Sequence, residues 1–234
     1  MPSLPYSNAL IVGAGPGLGA SLARAFTRDG GLRVMVAARQ RDKLDAIAHE
    51  TDAAVMTCDA TDAASVAALF DAATLHFGAP PDVVVYNASR RVRGPFVDVD
   101  AAALEQAVRV TAYGAFLVAQ QAARRLLPQG RGAILFTGAS AGVKGYPQSA
   151  AFAMGKFALR GLAQSLAREL APLGIHVGHV VVDGGIRPSG AAGDDSKDDR
   201  LDPDAIAATY LHLLSQPRSA WTWEIEVRPW VEKF

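Results

Sequence analysis

Four glycines in the stretch ALIVGAGPGLGASLARAF have a spacing that could do chemistry. Glycines 13, 15, 17 and 19 follow an apolar run and open a segment of helical periodicity. Glycine permits a tight turn, and it lets backbone N–H groups approach a pyrophosphate at the positive end of a helix. These glycines and Leu18 therefore predict a dinucleotide-binding loop, with an ordinary glycine-rich turn as the alternative.

A cationic residue stands where the second predicted strand ends, in VAARQRDKL. An acid at this point would accept hydrogen bonds from the 2′-hydroxyl of an adenosine ribose. The sequence has Arg39 instead, with Arg41 nearby, and a guanidinium offers a planar, permanently charged fork to a 2′-phosphate. The pattern favours NADP(H) over NAD(H), the alternative being a surface arginine that starts a helix.

Two further polar residues follow predicted strands. Asp59 comes after the third strand in TCDAT, and Asn87 ends the fourth in VVVYNAS. Taken alone, the aspartate is most simply a helix N-cap and the asparagine a turn residue. Because open parallel sheets bind ligands at the carboxyl ends of their strands, we expect both residues to contact the cofactor.

The elements that must position these residues alternate regularly along the chain. Near-continuous apolar runs of strand length are typical of parallel strands covered on both faces, and segments of helical period lie between them. The predicted strands are 8–12, 32–38, 53–58, 82–87, 132–137, 175–182 and 222–228. The predicted helices are 17–29, 40–50, 62–76, 100–127, 147–172 and 203–215.

This alternation predicts an α/β fold in a single domain over residues 1–234. We expect a Rossmann-like, doubly wound, mostly parallel sheet of about seven strands, with helices on both faces and right-handed crossovers. The polar segment 189–204, SGAAGDDSKDDRLDPD, interrupts the pattern. It is predicted to be a mobile surface loop, with a lid over a pocket as the functional alternative.

Composition excludes several classes of function. Lys plus Arg and Asp plus Glu both number 23, so no global field attracts nucleic acid or an anionic membrane. Every apolar run is shorter than the about 18 residues of a membrane-spanning helix. The lone Cys58 and an N-terminus without a secretory pattern predict a cytoplasmic protein whose partner is a small molecule.

The five histidines predict no metal site. Residues 49, 76, 176, 179 and 212 lack metal-ligand spacing, and there is no Cys/His cluster for zinc. His176 and His179 lie three apart on a predicted core strand, so alternation places them on opposite faces of the sheet. We interpret them as structural histidines.

Over its whole length the chain resembles the short-chain dehydrogenase/reductase family. Residues 13–19 are similar to the Thr-Gly-x-x-x-Gly-x-Gly motif of that family, with Val12 in the threonine position. Asn87-Ala88 matches the core of its Asn-Asn-Ala-Gly motif, although Tyr86 and Ser89 depart from it. The resemblance implies the predicted fold and a nicotinamide cofactor.

The resemblance also implies roles for individual residues. Asp59 matches the aspartate that contacts adenine, and Arg39 occupies the position typical of members that prefer NADP(H). Lys156 matches the active-site lysine, which hydrogen-bonds the nicotinamide ribose and lowers the pKa of a tyrosine. Asp183-Gly184 stands where a Pro-Gly pair is usual, and this places Ile186 at the carboxamide.

Three of the four catalytic residues of the family are replaced. Phe152 occupies the position of the tyrosine that transfers the proton, Ala139 that of the serine and Thr111 that of the asparagine. A positioned acid contributes about 10²–10⁴-fold to such a reaction, and a phenyl ring has no proton to give. Only Lys156 remains, so the ordinary proton transfer of the family is not expected.

Neighbouring residues offer substitutes for the missing hydroxyl groups. Ser140 lies one residue from the serine position, and Tyr146 lies in the same loop, FTGASAGVKGY. Each is interpreted first as a loop hydrogen-bonding residue or a pocket wall, and second as a replacement acid. Lys156 is a third candidate, because desolvation readily lowers the pKa of a lysine.

Two hypotheses from different classes follow. The first is an NADP(H)-dependent oxidoreductase with a non-standard proton donor, acting on an activated C=C bond or an electrophilic carbonyl. The second is a catalytically silent NADP(H)-binding protein that serves as a sensor or a partner subunit. Substrate-stimulated oxidation of NADPH discriminates between them.

Small residues on two long predicted helices suggest association with other copies of the chain. In the family, the helices that match 100–127 and 147–172 form subunit interfaces, so the resemblance implies a homodimer or homotetramer. The C-terminal segment SAWTWEIEVRPWVEKF brings three tryptophans close together. It is interpreted as a packed last strand, with contact to a neighbouring subunit as the alternative.

Overall fold

A seven-stranded parallel sheet organises the chain, whose computed structural model describes residues 4–188 and 199–232. The strand order is β3-β2-β1-β4-β5-β6-β7, and each neighbouring pair is parallel. The strands are β1 Asn8–Val12, β2 Arg33–Ala38, β3 Ala54–Thr57, β4 Val83–Tyr86, β5 Gly132–Thr137, β6 Ile175–Val182 and β7 Glu224–Val227. The order reverses between β1 and β4, which places a ligand crevice at their carboxyl ends.

Helices cover both faces of this sheet. They are α1 Leu18–Arg24, α2 Asp42–Thr51, α3 Ala63–Phe77, α4 Ala101–Val108, α5 Gly114–Leu126, α6 Ala150–Leu170 and α7 Pro203–Ser215. One apolar core joins the sheet to α1, α2 and α7, and a second joins it to α3, α5 and α6. The predicted doubly wound α/β fold is therefore confirmed, and the sheet is entirely rather than mostly parallel.

The central strands are buried along their whole length, which explains their continuous apolar sequences. All eight residues of β6 are buried, including His176 and His179. The ring of His176 stacks on Trp221 and hydrogen-bonds the carbonyl of Thr222 through Nε2, at 2.9 Å. The Nδ1 atom of His179 lies 2.9 Å from a carboxylate oxygen of Glu224. Through these contacts both histidines link β6 to residues 221–224, where β7 begins.

Two of the predicted helices contain π-helical turns that the periodicity did not indicate. The segment predicted as 17–29 is α1 followed by the π turn Ala25–Asp29, and 100–127 is interrupted by the π turn Arg109–Tyr113. In the second turn, the carbonyl of Val110 accepts a hydrogen bond from the hydroxyl of Tyr86. A π turn inside an α-helix frequently accompanies a functional site, and this one carries Thr111.

The third helix is capped by a residue other than the one suggested by the sequence. Asp62 is the N-cap of α3, and its side chain accepts a hydrogen bond from the backbone N–H of Ser65 at 2.8 Å. The alternative of Asp59 as a helix N-cap is therefore wrong, because the N-cap lies three residues later, at Asp62. Asp59 instead lies in the loop that follows β3 and borders the crevice.

The polar segment predicted as a loop over 189–204 lies mostly outside the described residues, at 189–198. Of the rest, Leu201 forms an isolated parallel bridge with Ile186, and Arg187 forms an ion pair with Asp202. Asp202 caps α7, so the helix begins inside the end of the predicted loop. Within the described ranges, none of the helices combines the length and apolarity needed to cross a membrane.

Candidate functional site

A cleft, called here the glycine-loop cleft, opens at the carboxyl ends of β1 to β4. The described residues that line it come from the loops that follow these strands. They are Val12, Gly13, Ala14, Gly15, Pro16, Ala38, Arg39, Gln40, Lys43, Cys58, Asp59, Ala60, Thr61, Asn87, Ala88, Ser89 and Val110. The sheet thus brings together Arg39, Asp59 and Asn87, which are far apart in sequence.

The glycines of the loop have two distinct roles. Gly13 has φ +88°, and a Cβ atom there would lie 2.2 Å from the backbone nitrogen of Ala88. A Cβ at Gly19 would lie 2.7 Å from the Cα of Ala14. Gly15 and Gly17 instead have open space where a Cβ would be. The first pair is needed for folding, and the second leaves the backbone accessible to a ligand.

Asn87 fixes the glycine loop to the end of β4. Its Nδ2 donates to the carbonyl of Gly13 at 2.9 Å, and its backbone N–H donates to Val12 at 2.8 Å. The side chain that the sequence placed at the cofactor therefore also holds the strained turn. One residue thus links the carboxyl ends of the neighbouring strands β1 and β4.

Arg39 and Lys43 form the cationic end of the glycine-loop cleft. Both are exposed, and within residues 4–188 and 199–232 neither has a carboxylate partner within ion-pair distance. Arg41, by contrast, pairs with Asp45 one helical turn ahead, at 3.5 Å. Lys43 was missed in the sequence, although it lies four residues after Arg39 in the same segment. The cleft therefore presents two available cations where a 2′-phosphate would lie.

Asp59 is held as an anion on the opposite wall. Its Oδ1 accepts hydrogen bonds from the backbone N–H and the hydroxyl of Thr61, at 2.9 and 2.8 Å. These bonds, with the charge of Arg39 as a weaker contribution, lower the pKa of the Asp59 carboxyl. The carboxylate is preorganised as an acceptor.

A second cleft, the lysine cleft, adjoins the first and shares Asn87 and Ser89 with it. The remaining described residues of its wall come from the start of α1, the loop after β4, the ends of β5 and β6 with the loops that follow them, and α6. They are Leu18, Arg91, Thr137, Gly138, Ala139, Ser140, Phe152, Lys156, Val182, Gly184, Gly185 and Ile186. The nicotinamide-side residues implied by the resemblance, Gly184 and Ile186, thus lie in the same cleft as Lys156.

Lys156 is a buried cation at the wall of the lysine cleft. Only 3% of the residue is exposed, and Nζ donates to the carbonyl of Thr137 at 2.7 Å. Burial, with the charge of Arg91 as a weaker contribution, lowers the pKa of Lys156 to about 7. The ammonium and the neutral amine are therefore both accessible near neutral pH, as proton transfer requires.

The three replaced positions surround this lysine without supplying a hydroxyl to it. The ring of Phe152 lies 5.8 Å from Nζ of Lys156. The buried Thr111 packs against Gly155, and its Oγ1 accepts from the backbone N–H of Arg90 at 3.3 Å. Ala139 lines the cleft with a methyl group. None of these three side chains therefore offers Lys156 a hydroxyl hydrogen bond among the bonds of the described residues.

Arg91 is a site residue that the sequence did not reveal. Its guanidinium lies over the ring of Phe152, 4.5 Å from the centroid. The signal available in the sequence was the cluster SRRVR directly after Asn87, but nothing in that cluster indicates which arginine turns inward. Arg91 therefore places a permanent positive charge against the face of the Phe152 ring.

A third cleft, the arginine cleft, lies beyond Phe152 and includes both loop substitutes named from the sequence. Its described residues come from the loops after β4, β5 and β6, from the start of α6 and from the segment after β7. They are Arg91, Arg93, Ser140, Ala141, Tyr146, Pro147, Gln148, Ser149, Phe152, Asp183, Gly184, Gly185 and Glu232. Ser140 borders both this cleft and the lysine cleft, whereas Tyr146 borders the arginine cleft without reaching the lysine cleft.

Comparison with known proteins decides the family. The family model described as short chain dehydrogenase matches residues 7–198. The chain belongs to the short-chain dehydrogenase family. This confirms the resemblance read from the glycine loop, Asn87 and Lys156.

Relatives within the short-chain dehydrogenase family are similar over most of the chain. A (+)-borneol dehydrogenase of Salvia officinalis is 34% identical over 196 residues, covering 80% of this chain and 72% of the relative. A short-chain dehydrogenase structure from Rhodopseudomonas palustris has a TM-score of 0.81 at 33% identity, covering 95% and 99% of the two chains. An alcohol dehydrogenase from Thermococcus sibiricus, complexed with 5-hydroxy-NADP, has a TM-score of 0.85 at 25% identity, covering 97% and 98%.

The residues of this short-chain dehydrogenase fit a nicotinamide dinucleotide. The open space at Gly15 and Gly17 leaves the loop backbone accessible to a pyrophosphate, and no side chain caps the N-terminus of α1. In the described part of the chain, no group of three His, Cys, Asp or Glu side chains lies close enough to hold a metal ion.

Proposed function

We propose that the protein is an NADP(H)-dependent oxidoreductase in which Lys156 replaces the usual tyrosine as proton donor. The observation that carries the proposal is the environment of Lys156. Its ammonium is buried, borders the lysine cleft and has no carboxylate partner within the described ranges. Because a buried ammonium without a counter-ion is costly, its proton is readily given up.

The cofactor would be held by residues of the first two clefts. Gly15, Gly17 and the N-terminus of α1 would bind the pyrophosphate, and Arg39 with Lys43 would bind the 2′-phosphate. When bound, the cofactor supplies or accepts a hydride. The 5-hydroxy-NADP complex of the similar Thermococcus protein supports the choice of cofactor.

In the reducing direction the residues of this chain handle the proton and the charge. The carbonyl carbon of the substrate gains a hydride and its oxygen gains the proton of Lys156, which becomes a neutral amine. The neutral amine still has an N–H group that donates a hydrogen bond to the carbonyl of Thr137. Arg91 stabilises the negative charge that develops on the oxygen, in place of the missing serine. Because Phe152 and Ala139 lack the hydroxyls of the usual tyrosine and serine, strongly electrophilic carbonyls or activated C=C bonds are the expected substrates.

A second candidate function is supported by the replaced residues themselves. Phe152, Ala139 and Thr111 together remove the groups that align a substrate oxygen in the family. They favour a catalytically silent NADP(H)-binding protein, serving as a sensor or a partner subunit. Such a protein would bind NADPH as tightly as an enzyme but would not turn it over.

Two measurements test the proposal. Calorimetric titration with NADPH and NADH comes first, and tight binding of NADPH is expected; binding of neither overturns both functions. NADPH oxidation is then followed with activated aldehydes, 1,2-diketones and enones. Stimulated oxidation that is lost in a Lys156→Met variant supports the enzyme, whereas tight binding without turnover by any of these compounds supports the sensor.

The two kinds of loop glycine should respond differently to substitution. Gly15→Val adds a side chain to open space, so we expect wild-type thermal stability but loss of NADPH binding. Gly13→Val is the matched control: it places a branched side chain at φ +88° against Ala88. The strain alone costs about 1–3 kcal/mol, so this variant should unfold at a lower temperature. Thermal melts with and without NADPH measure both effects, and unchanged NADPH affinity in Gly15→Val would contradict the pyrophosphate site.

Association into a homodimer or homotetramer remains an expectation that the exposed apolar side chains support. Tyr113 and Phe116 at the start of α5, with Met154 and Phe157 on α6, are 42–53% exposed. Phe157→Arg is expected to shift the protein toward the monomer in sedimentation experiments, since a charge would be buried. Ala46→Arg, on the exposed side of α2, is the control on the opposite face. An unchanged sedimentation coefficient for Phe157→Arg would contradict an interface at α6.

A further inference from the structure

The positive charge of the arginine cleft exceeds the negative charge that the described residues around it supply. Arg91 and Arg93 line it, and neither has a carboxylate partner within residues 4–188 and 199–232. Of the two acids in the cleft, Asp183 is buried and already paired with Lys144 at 3.1 Å and with Arg228 at 3.0 Å. Glu232 remains as the other carboxylate.

The two arginines lie close enough to affect each other. Burial, followed by the charge of Arg93, lowers the pKa of Arg91. The guanidinium of Arg91 is held over the ring of Phe152, 4.5 Å from the centroid, and a guanidinium has five N–H donors for an anion. Two like charges held together without a counter-ion are typical of a site that binds an anion.

The position of this pair relates it to the reaction. Arg91, Ser140 and Phe152 border both the arginine cleft and the lysine cleft. A molecule whose reacting atom lies near Lys156 would therefore extend past Phe152 toward Arg91 and Arg93. A negative group on that molecule would meet both guanidinium groups.

From these observations we infer that Arg91 and Arg93 select substrates that carry a carboxylate beside the reducible group, such as oxo acids. A carboxylate is planar and accepts two parallel N–H bonds from a guanidinium. Two guanidinium groups and the single carboxylate of Glu232 leave one positive charge to neutralise. One carboxylate matches that charge, and a phosphate dianion exceeds it. This inference rests on the proposed function for its reacting group, but the anion site itself is independent of cofactor binding.

The anion site is tested by calorimetry on the full chain with benzoate, its neutral analogue benzamide, and phenyl phosphate. Benzoate is expected to bind about ten-fold or more tightly than benzamide, because charge-assisted hydrogen bonds are lost in the amide. Phenyl phosphate should bind more weakly than benzoate. Arg91→Gln and Arg93→Gln should each remove the preference for benzoate.

Arg90→Gln is the matched control, since Arg90 lies in the same loop and its side chain does not border the cleft. It should bind benzoate as the wild type does. Equal binding of benzoate and benzamide, or no binding of benzoate, overturns the inference, and tighter binding of phenyl phosphate overturns the choice of a carboxylate. Benzoate binding by a protein that fails to bind NADPH would uphold the anion site while the proposed function fails.

Discussion

Replacing Arg39 by alanine is expected to weaken NADPH binding by about 10–100-fold, the loss typical of a hydrogen-bonded charge. NADH binding should change little, because NADH has no 2′-phosphate. Arg39 is exposed and makes no ion pair with the described residues, so its removal leaves no buried partner unsatisfied. Calorimetric titration of both cofactors into the wild type and the variant measures the change in preference.

Arg41→Ala is the control for this experiment. Arg41 lies two residues away and pairs with Asp45, so its loss should affect both cofactors equally. Lys43→Ala should also weaken NADPH binding selectively, since Lys43 lines the same cleft. An Arg39→Ala variant that still prefers NADPH would show that the assigned role is wrong.

Replacing Lys156 by methionine is expected to lower kcat for carbonyl reduction by about 10²–10⁴-fold, the usual contribution of a positioned acid. In the wild type the rate should fall as the pH rises through about 7, because the ammonium that donates the proton is then lost. Steady-state kinetics over a window of roughly pH 5.5 to 9, which brackets that pKa, checks both effects.

A Lys156→Arg variant separates proton donation from cation binding. Arginine keeps the positive charge and the hydrogen bond donors, but it does not release a proton in this pH range. It should retain NADPH affinity while losing turnover. If the arginine variant reduces the substrate at the rate of the wild type, Lys156 is not the proton donor.

The same lysine makes stability depend on pH in the cofactor-free protein. The pKa of Lys156 in the folded chain is about 7, against 10.5 normally. Between these values the unfolded chain binds more protons, so the free energy of unfolding rises with pH, by roughly 1 kcal/mol per pH unit at most. Below pH 7 the full cost of the buried charge is present. Urea unfolding at several pH values should show this rise in the wild type and lose it in Lys156→Met.

The sequence was sufficient for the sheet and for most element bounds. The strands β1, β5 and β6 begin and end where the predicted runs do, because strands buried on both faces are mostly apolar and the runs stand out from the flanking turns. The π turns at Ala25–Asp29 and Arg109–Tyr113 were missed. A π turn adds one residue to a helical turn and leaves no mark in the residue types of the segment. The hydrogen bond from Tyr86 to Val110 joins distant parts of the chain, so the sequence pattern does not show it.

The sequence predicted those site residues whose location depends only on their position after a strand. Arg39, Asp59, Asn87 and the glycines follow strands of one parallel sheet, so their convergence follows from the topology. Arg91 could not be assigned, because only the packed loop shows which of its arginines covers Phe152. The individual cofactor and catalytic roles of these residues remain predictions.

The hydrogen bond between Tyr86 and Val110 also ties one departure from the family motif to another. Tyr86 occupies a motif position where the family has asparagine, and its hydroxyl satisfies a carbonyl in the turn that carries Thr111. Thr111 in turn packs against Gly155, and the ring of Phe152 lies under the guanidinium of Arg91. The replaced positions are therefore fitted to their own neighbours, so we expect that changing Thr111 to asparagine or Phe152 to tyrosine alone does not recreate the usual arrangement of the family.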